Sequence, residues 1–188
     1  MTPATPRGLE IAGQQLIALA LVQAFLPHVA SGQPWTGTLS QPGADQVLQK
    51  ARAQLRTSEH HQVGVITALA RQCAAGLALA LHDTTPAALY GWLDQRTAAL
   101  DDHGQPTSEL TAALIVRAVV PELTAGTEID DVPPGITQAL ARADDDPYEV
   151  LVSLALFAAT MFLHAFQSVE VAVAAINAQA APLRPSPN

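Results

Sequence analysis

The side chains on which catalysis or metal binding would rest are six histidines, one cysteine and seventeen carboxylates, in a chain of 188 residues whose single lysine is Lys50. Glu59-His60-His61 is the densest titratable group. Neighbouring imidazoles can ligate a metal with help from elsewhere in a fold. Adjacent side chains on a helix diverge by about 100°, however, so His60 and His61 do not share one ion without a distorted backbone. Ser58 as an N-cap accounts for the cluster equally well, as the first turn of a helix. His164 stands between Phe162 and Phe166 in the most apolar stretch, the setting of a core or interface histidine rather than a catalyst. Cys73 has Gln72, Ala74 and Ala75 beside it. They supply neither a base nor positive charge to generate a thiolate, so it reads as a small buried apolar residue.

Other patterns inform by what they lack. No Glu-x-x-His occurs, which removes the di-iron site of helical bundles. The Asp144 to Asp146 run has neither the spacing nor the distal Glu of a calcium loop, and no Gly-x-x-x-x-Gly-Lys run is present to cradle phosphates. One cysteine permits no internal disulfide and no thiolate zinc cluster. The sequence thus implies no cofactor and no metal, and an enzyme would have to combine His60, His61 or His164 with a carboxylate brought near by folding. Aromatic residues make up only 4% of the chain. Large aromatics anchor interfaces, which singles out Tyr90 and Trp92 beside Gly91 as a contact or ligand site, although core packing would explain Trp92 equally well. Trp35 lies in a stretch rich in Pro and Gly, where a tryptophan is expected to dock on something.

The elements that position these residues read as helices throughout, because Ala, Leu, Gln and Arg abound and no segment alternates apolar with polar. The class is all-α, a bundle of about seven helices: Leu9 to Ala30, Ala44 to Arg56, Val63 to Leu81, Pro86 to Leu100, Ser108 to Thr124, Gly135 to Ala143 and Pro147 to Ala178. Asp146-Pro147-Tyr148-Glu149 combines an N-cap carboxylate, a proline at the first helical position and an acid that meets the helix dipole, and Thr85-Pro86 starts a helix in the same way. Pro27 and Pro121 are expected to kink or end their helices one turn early, with Gly32 and Gly126 as stop residues. Ser31 to Pro42 and Ala125 to Pro134 read as loops. Residues 1–8 form a flexible N-terminus, 9–182 a single helical domain, and 183–188 a disordered tail.

Nine Lys plus Arg against seventeen Asp plus Glu give a formal charge of −8, so the basic footprint of a nucleic-acid binder is missing. Before Thr57 four basic residues face two acids, a balance of +2; beyond it five Arg face fifteen acids, a balance of −10. The apolar fraction of 49% is too high for a disordered chain. Met1 to Arg7 lacks the pattern of a secretion signal, which points to a cytoplasmic protein. The apolar runs Leu16 to Leu26 and Val150 to Leu163 fall short of the roughly 20 residues that cross a bilayer. Helices apolar on every side must be surrounded by protein. A lone chain of this size should enclose one of the two, so a homodimer contact through the other is expected.

Two stretches repeat. Gly64-Val65-Ile66-Thr67-Ala68-Leu69-Ala70-Arg71 aligns without gaps with Gly135-Ile136-Thr137-Gln138-Ala139-Leu140-Ala141-Arg142, agreeing at Gly, Ala, Leu, Ala and Arg. A competing register pairs Pro27 and Gly32 with Pro121 and Gly126, and Pro42-Gly43 with Pro134-Gly135. The ungapped register is preferred, with repeats over 44–100 and 107–178, and either register implies duplication about a pseudo-twofold axis. Val47-Leu48, Ala51, His60, Val63-Gly64, the helix to Arg71 and Thr85-Pro86-Ala87-Ala88-Leu89 together resemble the N-terminal domain of Clp-type ATP-dependent unfoldases. Val132 to Arg142 and Asp146 to Leu151 echo the same pattern. The family's Gly-Thr-Glu-His stretch is replaced by Gly64-Val65-Ile66-Thr67 here. The resemblance covers about 110 residues in the middle of the chain. It implies an all-helical tandem repeat that performs no chemistry and binds protein substrates, adaptors or peptides in helix-lined grooves. The expected function is therefore a self-associating helical module for a protein or peptide partner, with Trp35, Tyr90, Trp92 and His164 as candidate contacts. The alternative is a small-molecule sensor with an apolar pocket between its two halves.

Overall fold

The computed structural model describes residues 6–39, 41–101, 108–125, 132–142 and 146–184. They form eight α-helices and one short 3-10 turn, with no strand among the described residues. The helices are α1 (Pro6–Ala30), α2 (Pro42–Leu55), α3 (Glu59–Leu81), α4 (Pro86–Asp101), α5 (Ser108–Ala125), α6 (Pro134–Arg142), α7 (Pro147–Phe166) and α8 (Val169–Ala180), and the turn is Ala181–Leu183.

Local signals explain most boundaries. The Asp146 carboxylate accepts from the Tyr148 N–H at 2.9 Å and Thr85 Oγ1 from the Ala88 N–H at 3.4 Å, so both expected starts are present. Ser58 Oγ accepts from the His61 N–H at 3.1 Å, and α3 accordingly begins at Glu59 rather than Val63. Gly32 takes φ +65 after α1, the left-handed conformation of a stop residue; Gly126 lies outside the described residues. Pro27 and Pro121 lie inside α1 and α5, which continue to Ala30 and Ala125. Each proline sits in the final turn or so, where the lost donor interrupts a single bond and Ser31 N–H still reaches the Pro27 carbonyl at 3.1 Å. The long helix expected from Pro147 to Ala178 is two. Gln167 caps α7 in the left-handed region at φ 54, and Ser168 Oγ accepts from Val171 N–H to start α8.

The most extensive packing is α3 on α7, and these two helices form the centre. Helix α1 lies against both, as does α5 on the other side; α2 and α8 pack on α1, while α4 and α6 pack on α5. The core is aliphatic and alanine-rich, with Phe25 and Phe162 as its largest fully buried side chains. Small residues permit close helix approach: a methyl group at Gly64 would overlap the Gln14 carboxamide of α1, and one at Gly76 would meet the Phe162 ring of α7.

Of the two apolar runs, Leu16 to Leu26 lies in α1 and Val150 to Leu163 in α7; each buries part of its surface against neighbouring helices of the same chain, while Leu16, Ile17, Leu156, Phe157, Met161 and Leu163 stay only partly buried. Among the described residues three helices, spanning Glu10–Ala30, Glu59–Leu81 and Pro147–Phe166, are long and apolar enough to cross a membrane by length and composition. The apolar runs are shorter than these helices because the helices continue past them, α1 through Gln14, Gln15, Pro27 and His28, and α7 through Pro147, Tyr148, Glu149 and His164.

Candidate functional site

Helices α4, α5 and α7 diverge around a cleft of about 350 Å³. Trp92 and Arg96 line it from α4; Glu109, Ala112 and Ala113 from α5; and Ser153, Leu156, Phe157, Thr160 and Met161 from α7. The alanines make a floor without side-chain bulk, and the larger apolar residues form its walls. The Trp92 and Phe157 rings stack at 5.4 Å between centroids with 29° between planes, joining α4 to α7 across the cleft. Both rings remain only half-buried.

The polar groups of the cleft are nearly all engaged. Ser153 Oγ donates to Ser108 Oγ at 2.9 Å and Thr160 Oγ1 to the Leu156 carbonyl at 2.7 Å. Arg96 Nη2 donates to Glu109 Oε2 at 3.1 Å across the mouth, with about half of each side chain exposed. A second α4–α5 ion pair, Arg117 with Asp94, lies further along the seam between the two helices. What remains is an apolar, aromatic-walled recess with one cation and one anion at its rim.

Of the four candidate contacts, Trp92 alone lines this cleft. Tyr90, two positions earlier and so on another side of α4, lies beneath the Arg117 guanidinium at 4.8 Å. Trp35 docks on its own chain: its ring lies 5.2 Å from Phe25 and 5.5 Å edge-on from His28. His164 is exposed in the last turn of α7, so it is not the core histidine that its phenylalanine neighbours allowed. Phe162 turns inward and Phe166 packs on it at 6.1 Å.

The remaining titratable groups sit apart. His60 Nε2 and His61 Nδ1 stand 3.6 and 3.8 Å from the same Glu10 carboxylate oxygen of α1. Among the described residues no three His, Cys, Asp or Glu side chains are placed to hold a metal ion. Cys73 is buried in α3 and its thiol donates to the Leu154 carbonyl at 3.1 Å; burial pushes its ionisation up, the opposite of what a nucleophile needs. Arg71 grips Glu122 through Nε to Oε2 at 2.7 Å and Nη2 to Oε1 at 3.3 Å, a largely buried pair that ties α3 to α5.

Sequence reasoning missed Phe157, Met161, Arg96 and Glu109. Phe157 and Met161 belong to a run apolar on all sides, where periodicity cannot separate a cleft wall from a core position. A second apolar groove escaped as well, about 440 Å³, lined by Ala75, Ala78, Leu79, His82, Thr84, Leu89 and Leu123. Compared with family models, with curated proteins and with solved structures, the chain matches none.

Proposed function

We propose that this chain is a non-enzymatic helical interaction module that binds a protein or peptide partner in the α4–α5–α7 cleft. The observation that carries this reading is the half-buried Trp92–Phe157 stack, which walls a mainly apolar recess. A tryptophan held at the edge of a cleft by a neighbouring ring is a preorganised anchor for an apolar side chain. In this reading the protein is cytoplasmic and uses neither nucleic acid nor membrane; the formal charge of −8 supports the exclusion of nucleic acid. Self-association as a homodimer belongs to the same reading, with exposed Leu79 and Leu123 of the second groove as its contact.

The proposal includes an internal duplication relating α1–α4 to α5–α8. Exchanging the halves turns the α1–α7 contact into α5–α3, α1–α2 into α5–α6, α4–α5 into α8–α1, and α2–α7 into α6–α3, while α3–α7 maps onto itself. This supports the register that pairs Pro27 with Pro121 and Pro42-Gly43 with Pro134-Gly135. The ungapped register would set the 23-residue α3 against the nine-residue α6. A tandem four-helix arrangement also suits the resemblance to Clp N-terminal domains, as an analogy of fold.

Selection of a displayed random-peptide library on the full chain tests the binding reading. Enriched peptides should bind wild type and lose at least about tenfold in affinity on Trp92→Ala, the loss of a hot-spot aromatic. Failure to enrich, or peptides indifferent to Trp92→Ala, would refute it. The cleft volume also lies within the range of small-ligand sites, which favours a sensor as the second reading. Saturable displacement of an apolar fluorescent dye by small amphiphiles, with no peptide enriched, would select that alternative.

A further inference from the structure

The mouth of the α4–α5–α7 cleft bears on the partner's chemistry. Glu109 lies at this rim with Oε2 hydrogen-bonded to Arg96, and more than half of its side chain is exposed. Arg96 uses one N–H of its five-donor guanidinium in that contact. Each member of the pair can therefore accept a second, external partner of opposite charge, and the pair by itself is neutral toward them. The remainder of the molecule breaks the tie. A formal charge of −8 raises the local concentration of cations around the surface and repels anions.

We infer that the cleft takes an apolar peptide segment flanked by basic residues, its apolar side chains entering between Trp92, Leu156, Phe157 and Met161 and a flanking Arg or Lys meeting Glu109. This rests on the peptide-binding reading and specifies its ligand. An exposed ion pair is worth up to about 1 kcal/mol, which corresponds to up to about fivefold in affinity. The apolar anchors therefore set the bulk of the affinity, and the charge sets the preference. Salt should erode that preference as the Debye length shortens toward about 8 Å at physiological ionic strength.

The test uses three synthetic peptides, acetylated and amidated at their ends, that share a Leu and a Phe one helical turn apart and differ only in flanking pairs of Arg, Ser or Glu. Calorimetric titration of the full chain at low ionic strength should rank them Arg, Ser, Glu, with a few-fold step between the first two. Glu109→Gln should reduce the Arg-over-Ser preference, whereas Glu170→Gln on α8, an equal change in net charge away from the cleft, should leave it intact. Equal binding of all three, or preference for the Glu peptide, overturns the charge assignment and leaves the peptide-binding reading standing. Loss of preference in both variants assigns the effect to net charge and overturns the role of Glu109. Absence of binding by every peptide overturns this ligand assignment, while the peptide-binding reading itself stands or falls with the library selection.

Discussion

Replacing Gly76 by alanine sets two effects of known sign against each other. Alanine is the better helix former by up to about 1 kcal/mol at an interior position. At residue 76, however, the added methyl would stand 2.8 Å from Phe162 Cδ2, 3.0 Å from Cε2 and 3.2 Å from Met161 Cβ, against about 3.5 Å for carbon atoms at optimal contact. Phe162 is fully buried, so its ring cannot yield without moving the α3–α7 interface. Overpacking of this kind costs about 1–3 kcal/mol, so the net result is a loss of roughly 0.5–2 kcal/mol. Gly91, within α4, is exposed, and a methyl added there would have nothing within 4 Å, so Gly91→Ala should gain about 0.5–1 kcal/mol. Urea unfolding followed by far-ultraviolet circular dichroism measures both, with midpoints displaced in opposite directions at unchanged slope. If Gly76→Ala is as stable as wild type, α3 and α7 do not pack at this distance and the centre of the fold is misassigned.

Further outcomes follow from the other contacts. Glu122→Ala removes the bidentate, largely buried acceptor of Arg71 and should cost about 1–3 kcal/mol. Arg96→Ala breaks an exposed pair and should cost under about 1 kcal/mol; the reverse order in urea titrations would contradict the burial of the α3–α5 contact. Ser168→Ala should destabilise by about 0.5–2 kcal/mol through loss of the α8 cap, whereas a null effect in the same assay would mean that α7 and α8 are continuous. Cys73 should resist a disulfide-exchange reagent in native buffer and react only as fast as the chain unfolds. Its raised ionisation leaves stability unaffected below the unfolded thiol's pKa of about 8.5, and lowers it above that pH by up to about 1.4 kcal/mol per unit, as the unfolded chain gains a thiolate. Cys73→Ala should remove that alkaline component from the pH dependence of the unfolding midpoint, and an unchanged profile would contradict it.

Caps were legible in the sequence because they are local chemistry. Ser58, Thr85 and Asp146 each need only a hydroxyl or carboxylate within three residues of the N–H they satisfy. The break between α7 and α8 carries the same signature in Ser168 and Glu170, but Gln167 is an unusual residue for a left-handed cap and masks it. The ends at Ala30 and Thr124 were legible to within a residue although Pro27 and Pro121 precede them, because a proline so close to a helix end interrupts a single bond. Trp92 was recognisable by scarcity, while its partner Phe157 was hidden in an unbroken apolar run. Trp35 was expected to dock, yet only the fold identifies Phe25 as the surface it docks on. Non-local contacts of this kind, like Gly76 against Phe162, have no counterpart in spacing along the chain.

The central claim is that a peptide enters between α4, α5 and α7, and hydrogen–deuterium exchange with and without a selected peptide tests it most directly. Slowed exchange is required over 89–100, 108–117 and 151–163, with α2 and α8 unchanged. Protection of α2 or α8 alone, or no protection under saturating peptide, would contradict the assignment of the cleft.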